Sequence, residues 1–106
     1  MTDKKERLVE IIEKEPELLK ILNSKEHIQV LLEINKKPQK HQELKVNIYF
    51  KNVSILYNIL DTLVQNTLIK KIEIDDESTY YLTEKGEEFV QVYQIAKEKF
   101  NLNGGE

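Results

Sequence analysis

The chain has 106 residues, 40% hydrophobic and 33% charged, enough to bury one core but not two. With no cysteine, disulfides, thiolate metal sites and cysteine nucleophiles are excluded. No apolar run approaches the roughly 20 residues that cross a bilayer, and residues 1–7 lead into no secretory signal core, so a cytoplasmic protein is expected. The net charge of −3 argues mildly against a nucleic-acid partner, but it hides a segregation. Residues 36–52 hold five lysines (36, 37, 40, 45, 51) against one acid, Glu43, whereas residues 70–88 hold three lysines against seven acids.

Residues 3–14 carry Leu8, Ile11 and Ile12 at helical spacing. Pro16 opens a new turn, with Leu18, Leu19, Ile21 and Leu22 as its apolar residues and Glu15 and Glu17 at the end the helix dipole favours. Ser24 is a helix N-cap, and 25–35 is a helix burying Ile28, Leu31 and Leu32, with Ile34 at its margin. Pro38 ends it, since the residue before proline is pushed out of helical backbone. A short weak helix follows over 39–46, anchored by Leu44 and Val46, then a turn at 47–50. The clearest helix is 51–65. Val53, Leu56, Leu60, Leu63 and Val64 line one face, Tyr57 and Ile59 border it, and Lys51, Ser54, Asn58, Asp61, Thr62 and Gln65 gather opposite.

Asn66-Thr67 closes that helix and strand periodicity begins at Leu68. Ile69, Ile72 and Ile74, a polar tip at 75–78 and Thr79-Tyr80-Tyr81-Leu82 read as a hairpin, with one of the two adjacent tyrosines facing the core. Thr83 caps a last helix, 84–100, whose stripe is Phe89, Val92, Tyr93, Ala96 and Phe100; residues 101–106 form a tail.

This order predicts a mainly α protein with a small β-hairpin (α+β), a winged helix-turn-helix with extra N- and C-terminal helices. It forms one domain over 1–106: N-terminal helices at 3–22, helix-turn-helix and wing at 25–82, and a dimerisation helix at 84–100. From Leu18 to Gly86 the chain resembles prokaryotic winged-helix transcriptional regulators of the broad ArsR, MarR and PadR group, particularly their small archaeal relatives. The resemblance is carried by Leu19-Lys20-Ile21-Leu22, Ile28 to Ile34, Leu63 to Lys71 and, most closely, Tyr80-Tyr81-Leu82-Thr83-Glu84-Lys85-Gly86. It implies double-stranded DNA binding by a homodimer. Two departures stand out. Asn66 and Thr67 occupy the place of a usual glycine, Asn being the residue that tolerates positive φ, and the wing tip Asp75-Asp76-Glu77 is acidic where relatives carry basic groups.

The expected DNA-binding residues are Lys36, Lys37, Lys40, Lys45, Lys51, Asn52, Ser54 and Asn58. Lysines hold the phosphates, and Asn58 or Ser54 meets base edges from a helix in the major groove. A plain solvated helix face explains the same residues where no such architecture surrounds them. Phe50 is expected in the core. Leu8, Ile11, Ile12, Phe89, Val92, Tyr93, Ala96 and Phe100 are expected at the dimer interface, unless the two terminal helices merely pack on each other.

His27 and His41 lie on different elements, there is no phosphate-binding glycine loop, and the acids at 75–77 sit on a hairpin tip, so no enzymatic chemistry, metal or cofactor is expected. The rival function is a protein-interaction module that stays off DNA. Lysines converging around the 51–65 helix favour DNA; acids intermingled with them favour the rival.

Overall fold

Three helices start at a capping side chain, Ser24, Asn52 or Thr83. The computed structural model describes Glu10 and residues 13–100, the side chains of Lys99 and Phe100 excepted. Glu10, Glu13 and Lys14 are helical, while Leu8, Ile11 and Ile12 lie outside the described residues. α1 (Glu17–Leu22) starts at Pro16 and buries Leu18 and Ile21, leaving Leu19 exposed. α2 (Lys25–Lys36) starts where the Ser24 hydroxyl accepts the His27 N–H, and stops where Lys37 turns extended before Pro38. It buries Val30 beside Ile28, Leu31 and Ile34, with Leu32 half-buried.

The segment expected to be helical from residue 39 opens instead as a strand, β1 (Gln39–Lys40), and α3 runs His41–Asn47. Gln39 drives the difference. Its side chain is buried, donating to the Glu33 carbonyl and accepting from Asn47 Nδ2, while its backbone pairs with Tyr80. Val46, expected as an anchor of this helix, is 84% exposed; Leu44 alone holds α3 to the core. α4 (Val53–Gln65) begins two residues later than expected because Asn52 caps it, its Oδ1 accepting the Ile55 N–H at 3.3 Å. α4 buries Leu56, Ile59, Leu60 and Leu63, so Ile59 is core and the expected core residues Val53 and Val64 are exposed.

β2 (Ile69–Ile74) and β3 (Glu77–Leu82) pair antiparallel from Ile69 opposite Leu82 to Ile74 opposite Glu77, and β1 adds on the far side of β3. The tip is therefore a two-residue turn, with Asp75 and Asp76 both at positive φ, rather than a four-residue loop. That is the turn whose twist suits a hairpin. Tyr80 is buried and Tyr81 half-exposed. α5 (Glu84–Phe100) starts at Thr83, whose hydroxyl accepts the Gly86 N–H at 3.0 Å. Leu18, Leu31, Leu44, Leu56, Leu60, Leu63 and Leu68 are fully buried in one cluster that draws on all five described helices and on the sheet. Each fully buried leucine contributes about 1.5–3 kcal/mol.

The joint between α4 and β2 is unusually tight. Leu68 N–H donates to Leu63 C=O at 3.0 Å and Thr67 N–H to Val64 C=O at 2.9 Å, the two bonds of a Schellman ending. Thr67, not Asn66, takes the positive φ of 58°, a β-branched residue where glycine is usual. Its surroundings hold it there: Thr83 Oγ1 donates to its carbonyl at 2.6 Å, and Lys85 Nζ reaches its hydroxyl at 3.2 Å and Asn66 O at 3.0 Å. Lys85 also pairs with Glu15 at 2.6 Å, tying the segment before α1 to this corner. Gly86 completes it, because a Cβ there would stand 2.0 Å from the Leu68 carbonyl oxygen.

Candidate nucleic-acid interface

α3, the turn over residues 48–52 and α4 form a helix-turn-helix, and the hairpin β2–β3 lies next to it in the chain. The turn is pinned by Ile48, buried, and Phe50, packed on the core as expected. Tyr49 between them is 86% exposed. With Leu56, Ile59, Leu60 and Leu63 facing inward, the helical advance of about 100° per residue turns Val53, Ser54, Tyr57, Asn58, Asp61, Val64 and Gln65 outward, and all are exposed. Tyr57 leans on His41 at the start of α3, ring centroids 5.6 Å apart.

The structure divides the eight expected DNA-binding residues into groups. Lys51, Asn52, Ser54 and Asn58 stand together at the N-terminal half of α4, all exposed. Asn52 and Ser54 are partly occupied: Asn52 caps the helix and the Ser54 hydroxyl donates to the same Asn52 oxygen. Lys36 and Lys37 share a shallow cleft with Glu33, Gln39 and Asn47 at the end of α2, away along the chain from the α4 group. Lys36 is 3.0 Å from Glu33, and Lys37 is 3.8 Å from Glu43. Glu43 also accepts the Lys40 N–H at 2.8 Å, fixing the start of α3.

Lys40 reaches Glu77 of the wing at 2.5 Å, and that hydrogen bond raises the lysine pKa above its ordinary value. Lys45 and Lys51 are exposed and make no ion pair with a described residue. Three of the five lysines are thus intermingled with acids.

Sequence reasoning missed Val46, Val53 and Tyr57, apolar or aromatic groups displayed on the helix-turn-helix rather than buried, whereas Tyr49 in the turn was open to either place and is displayed. A signal existed: the apolar residues of 53–64 span more of the helix circumference than one core stripe can absorb. Lys70 was also missed; it sits 6.0 Å from the Tyr81 ring on the wing. His27, by contrast, is structural. It packs beside Ser24, its Nδ1 2.7 Å from the hydroxyl, and burial lowers its pKa while Glu26 pulls the other way. Of the expected dimer residues, Phe89, Val92 and Tyr93 are buried in the subunit's own core and Ala96 is half-buried; the side chain of Phe100 is outside the description. Among the described residues no helix is long and apolar enough to cross a membrane.

A helix-turn-helix followed by a β-hairpin, with a short strand ahead of it completing a three-stranded antiparallel sheet, and then a further helix defines the winged-helix class. Within it, the chain belongs to the HxlR-like helix-turn-helix family, whose sequence model matches residues 21–102. Solved structures agree on the fold. The reduced form of the transcriptional regulator YodB from B. subtilis is 20% identical, with 87% of this chain covering 96% of that one at a TM-score of 0.72. The transcriptional repressor BigR from Xylella fastidiosa is 17% identical, covering 96% and 98% of the two chains, at 0.67. A cysteine-to-serine mutant of MarR from E. coli, in complex with operator DNA, is 18% identical over 92% and 76%, at 0.65. No curated protein matches the sequence.

Proposed function

We propose that the protein is a transcriptional regulator that binds double-stranded DNA sequence-specifically as a homodimer in the cytoplasm, with α4 in the major groove and no enzymatic activity. Membership of a helix-turn-helix family carries the reading. What supports its detail is the exposed N-terminal half of α4, preceded in the chain by Lys45 on α3 and by Lys51, neither of which forms an ion pair with a described acid. A recognition helix meets base edges with its first turns, and lysines beside it position the backbone. Half-buried Ala96 on α5, with Leu8, Ile11, Ile12 and Phe100, remains a candidate dimer contact, and half-buried Ile95 beside it joins them. Two copies would read half-sites about one helical turn apart.

The acids beside Lys36, Lys37 and Lys40 favour a second reading, a winged-helix module that binds another protein. One titration separates the two: mixed-sequence duplex DNA against wild type and the double variant Lys45→Glu/Lys51→Glu, at two salt concentrations. For DNA binding, wild-type affinity falls steeply with salt, and the variant binds at least about tenfold more weakly with a salt slope lower by about two. Light scattering on the same sample reports the dimer. A folded wild-type dimer that ignores DNA at low salt removes the first reading.

A further inference from the structure

If α4 lies in the major groove, its side chains decide which bases it prefers, and they are of one kind. Resting on that reading, we propose that the protein recognises A·T-rich half-sites, with Asn58 reading adenine and Val53 and Tyr57 packing on thymine methyl groups.

In the major groove, guanine offers two acceptors best met by the fork of arginine or by lysine. Adenine offers an acceptor and a donor that match the asparagine amide, and thymine adds a methyl group that takes apolar contact. From Val53 to Gln65 there is no arginine and no lysine, and Arg7 is the only arginine in the chain. Asn58 is exposed on the second turn of α4. No hydrogen bond within the described residues occupies its amide, unlike that of Asn52, whose oxygen is committed to the cap.

Val53 and Tyr57 are 44% and 45% exposed, one helical turn apart on the same side. Such groups gain little in water and are matched by thymine methyls. The contact with His41 fixes the Tyr57 ring on this surface. Ser54 donates its proton to Asn52, which leaves its oxygen as an acceptor for the exocyclic amine of adenine or cytosine and so neutral between the two kinds of base pair. Asp61, one turn beyond Tyr57 and Asn58, repels phosphate and accepts from the amine of cytosine or of adenine, so the A·T preference rests on Asn58, Val53 and Tyr57. The wing adds no rival preference, since its Asp75-Asp76 tip is repelled by the negative minor groove.

The test is selection from a randomised duplex library by wild type, Asn58→Ala and Asn58→Arg, each checked by circular dichroism for native helix content. Asn58 is exposed, so both variants should fold. Wild type is expected to enrich A·T-rich half-sites. Replacing the adenine read by Asn58 with guanine weakens binding about tenfold. Asn58→Ala loses preference at that position alone, and Asn58→Arg moves it to guanine. Retained duplexes with no A·T bias, or an unchanged adenine in the Asn58→Ala selection, overturn this inference and leave DNA binding standing. A wild type that retains no duplex at low salt overturns the DNA reading itself.

Discussion

The wing is built differently at its two ends. At its base, Ile69 is buried, Thr67 is held at positive φ by Thr83 and Lys85, and Gly86 lets α5 close onto the Leu68 carbonyl. At its tip, Ile74 is 64% exposed, and the exposed pair Lys40–Glu77 links it to the start of α3, while the pair Lys71–Glu73 lies within β2 itself. Exposed pairs of this kind are weak, whereas close packing against backbone leaves no room to adjust. The base therefore sets stability and the tip is free to answer to a partner.

The sharpest way to break that comparison is Gly86→Ala. Helix propensity alone favours alanine by up to about 1 kcal/mol, yet the new methyl would stand 2.0 Å from the Leu68 carbonyl oxygen, which also accepts the Thr83 N–H. Backbone must move, so a loss of about 3 kcal/mol is expected, a Tm fall of about 12 °C or more by thermal denaturation. An unchanged Tm would mean that the base is not the rigid end.

A smaller effect of opposite sign is expected at Thr67. Strain at its φ of 58° is relieved by Thr67→Gly, offset by glycine's greater freedom when unfolded and by the lost hydroxyl bonds. The net is a gain of about 0.5–1 kcal/mol in urea denaturation, while Thr67→Val, which keeps the strain and removes the hydroxyl, loses about 1 kcal/mol. Should the glycine variant be the less stable one, the hydroxyl network outweighs the strain.

These two ends also mark what the sequence disclosed. The base was legible because its residues carry local signals. Thr83 reads as a cap, Gly86 sits in the family-like run from Tyr80, and the alternation of Tyr80 and Tyr81 puts one of them on the core face. The misplacements came where a long-range contact overrode a local preference. Gln39 is a polar residue in a helical-looking stretch, and only Glu33, Asn47 and Tyr80, all supplied by the fold, make it a buried strand residue. Val46 and Val53 were read as core because valine usually is, but the inward positions of α3 and α4 are already filled by leucines and Ile59. The charge of the candidate interface was least legible. Residues 36–52 look basic but for Glu43, yet Glu33 lies just before that stretch and Glu77 comes from a strand far along the chain.

That last contact gives the smallest and most discriminating effect. Glu77 lies where the wing meets the helix-turn-helix, 2.5 Å from the Lys40 ammonium at the start of α3. Both groups are exposed, so breaking the pair leaves stability nearly untouched. A phosphate bound on that side would compete with Glu77 for the lysine. Glu77→Gln removes the competitor and one negative charge, and DNA affinity should rise a few-fold, with a salt dependence steeper by about one counterion. The rise should vanish when Lys40→Gln is added, because the effect runs through that lysine. If Glu77→Gln tightens binding equally with and without Lys40, the wing acts only through its net charge, and the pair does not lie on the DNA-facing side. If affinity is unchanged in both, the tip stands clear of DNA altogether and its acids are available to a protein partner.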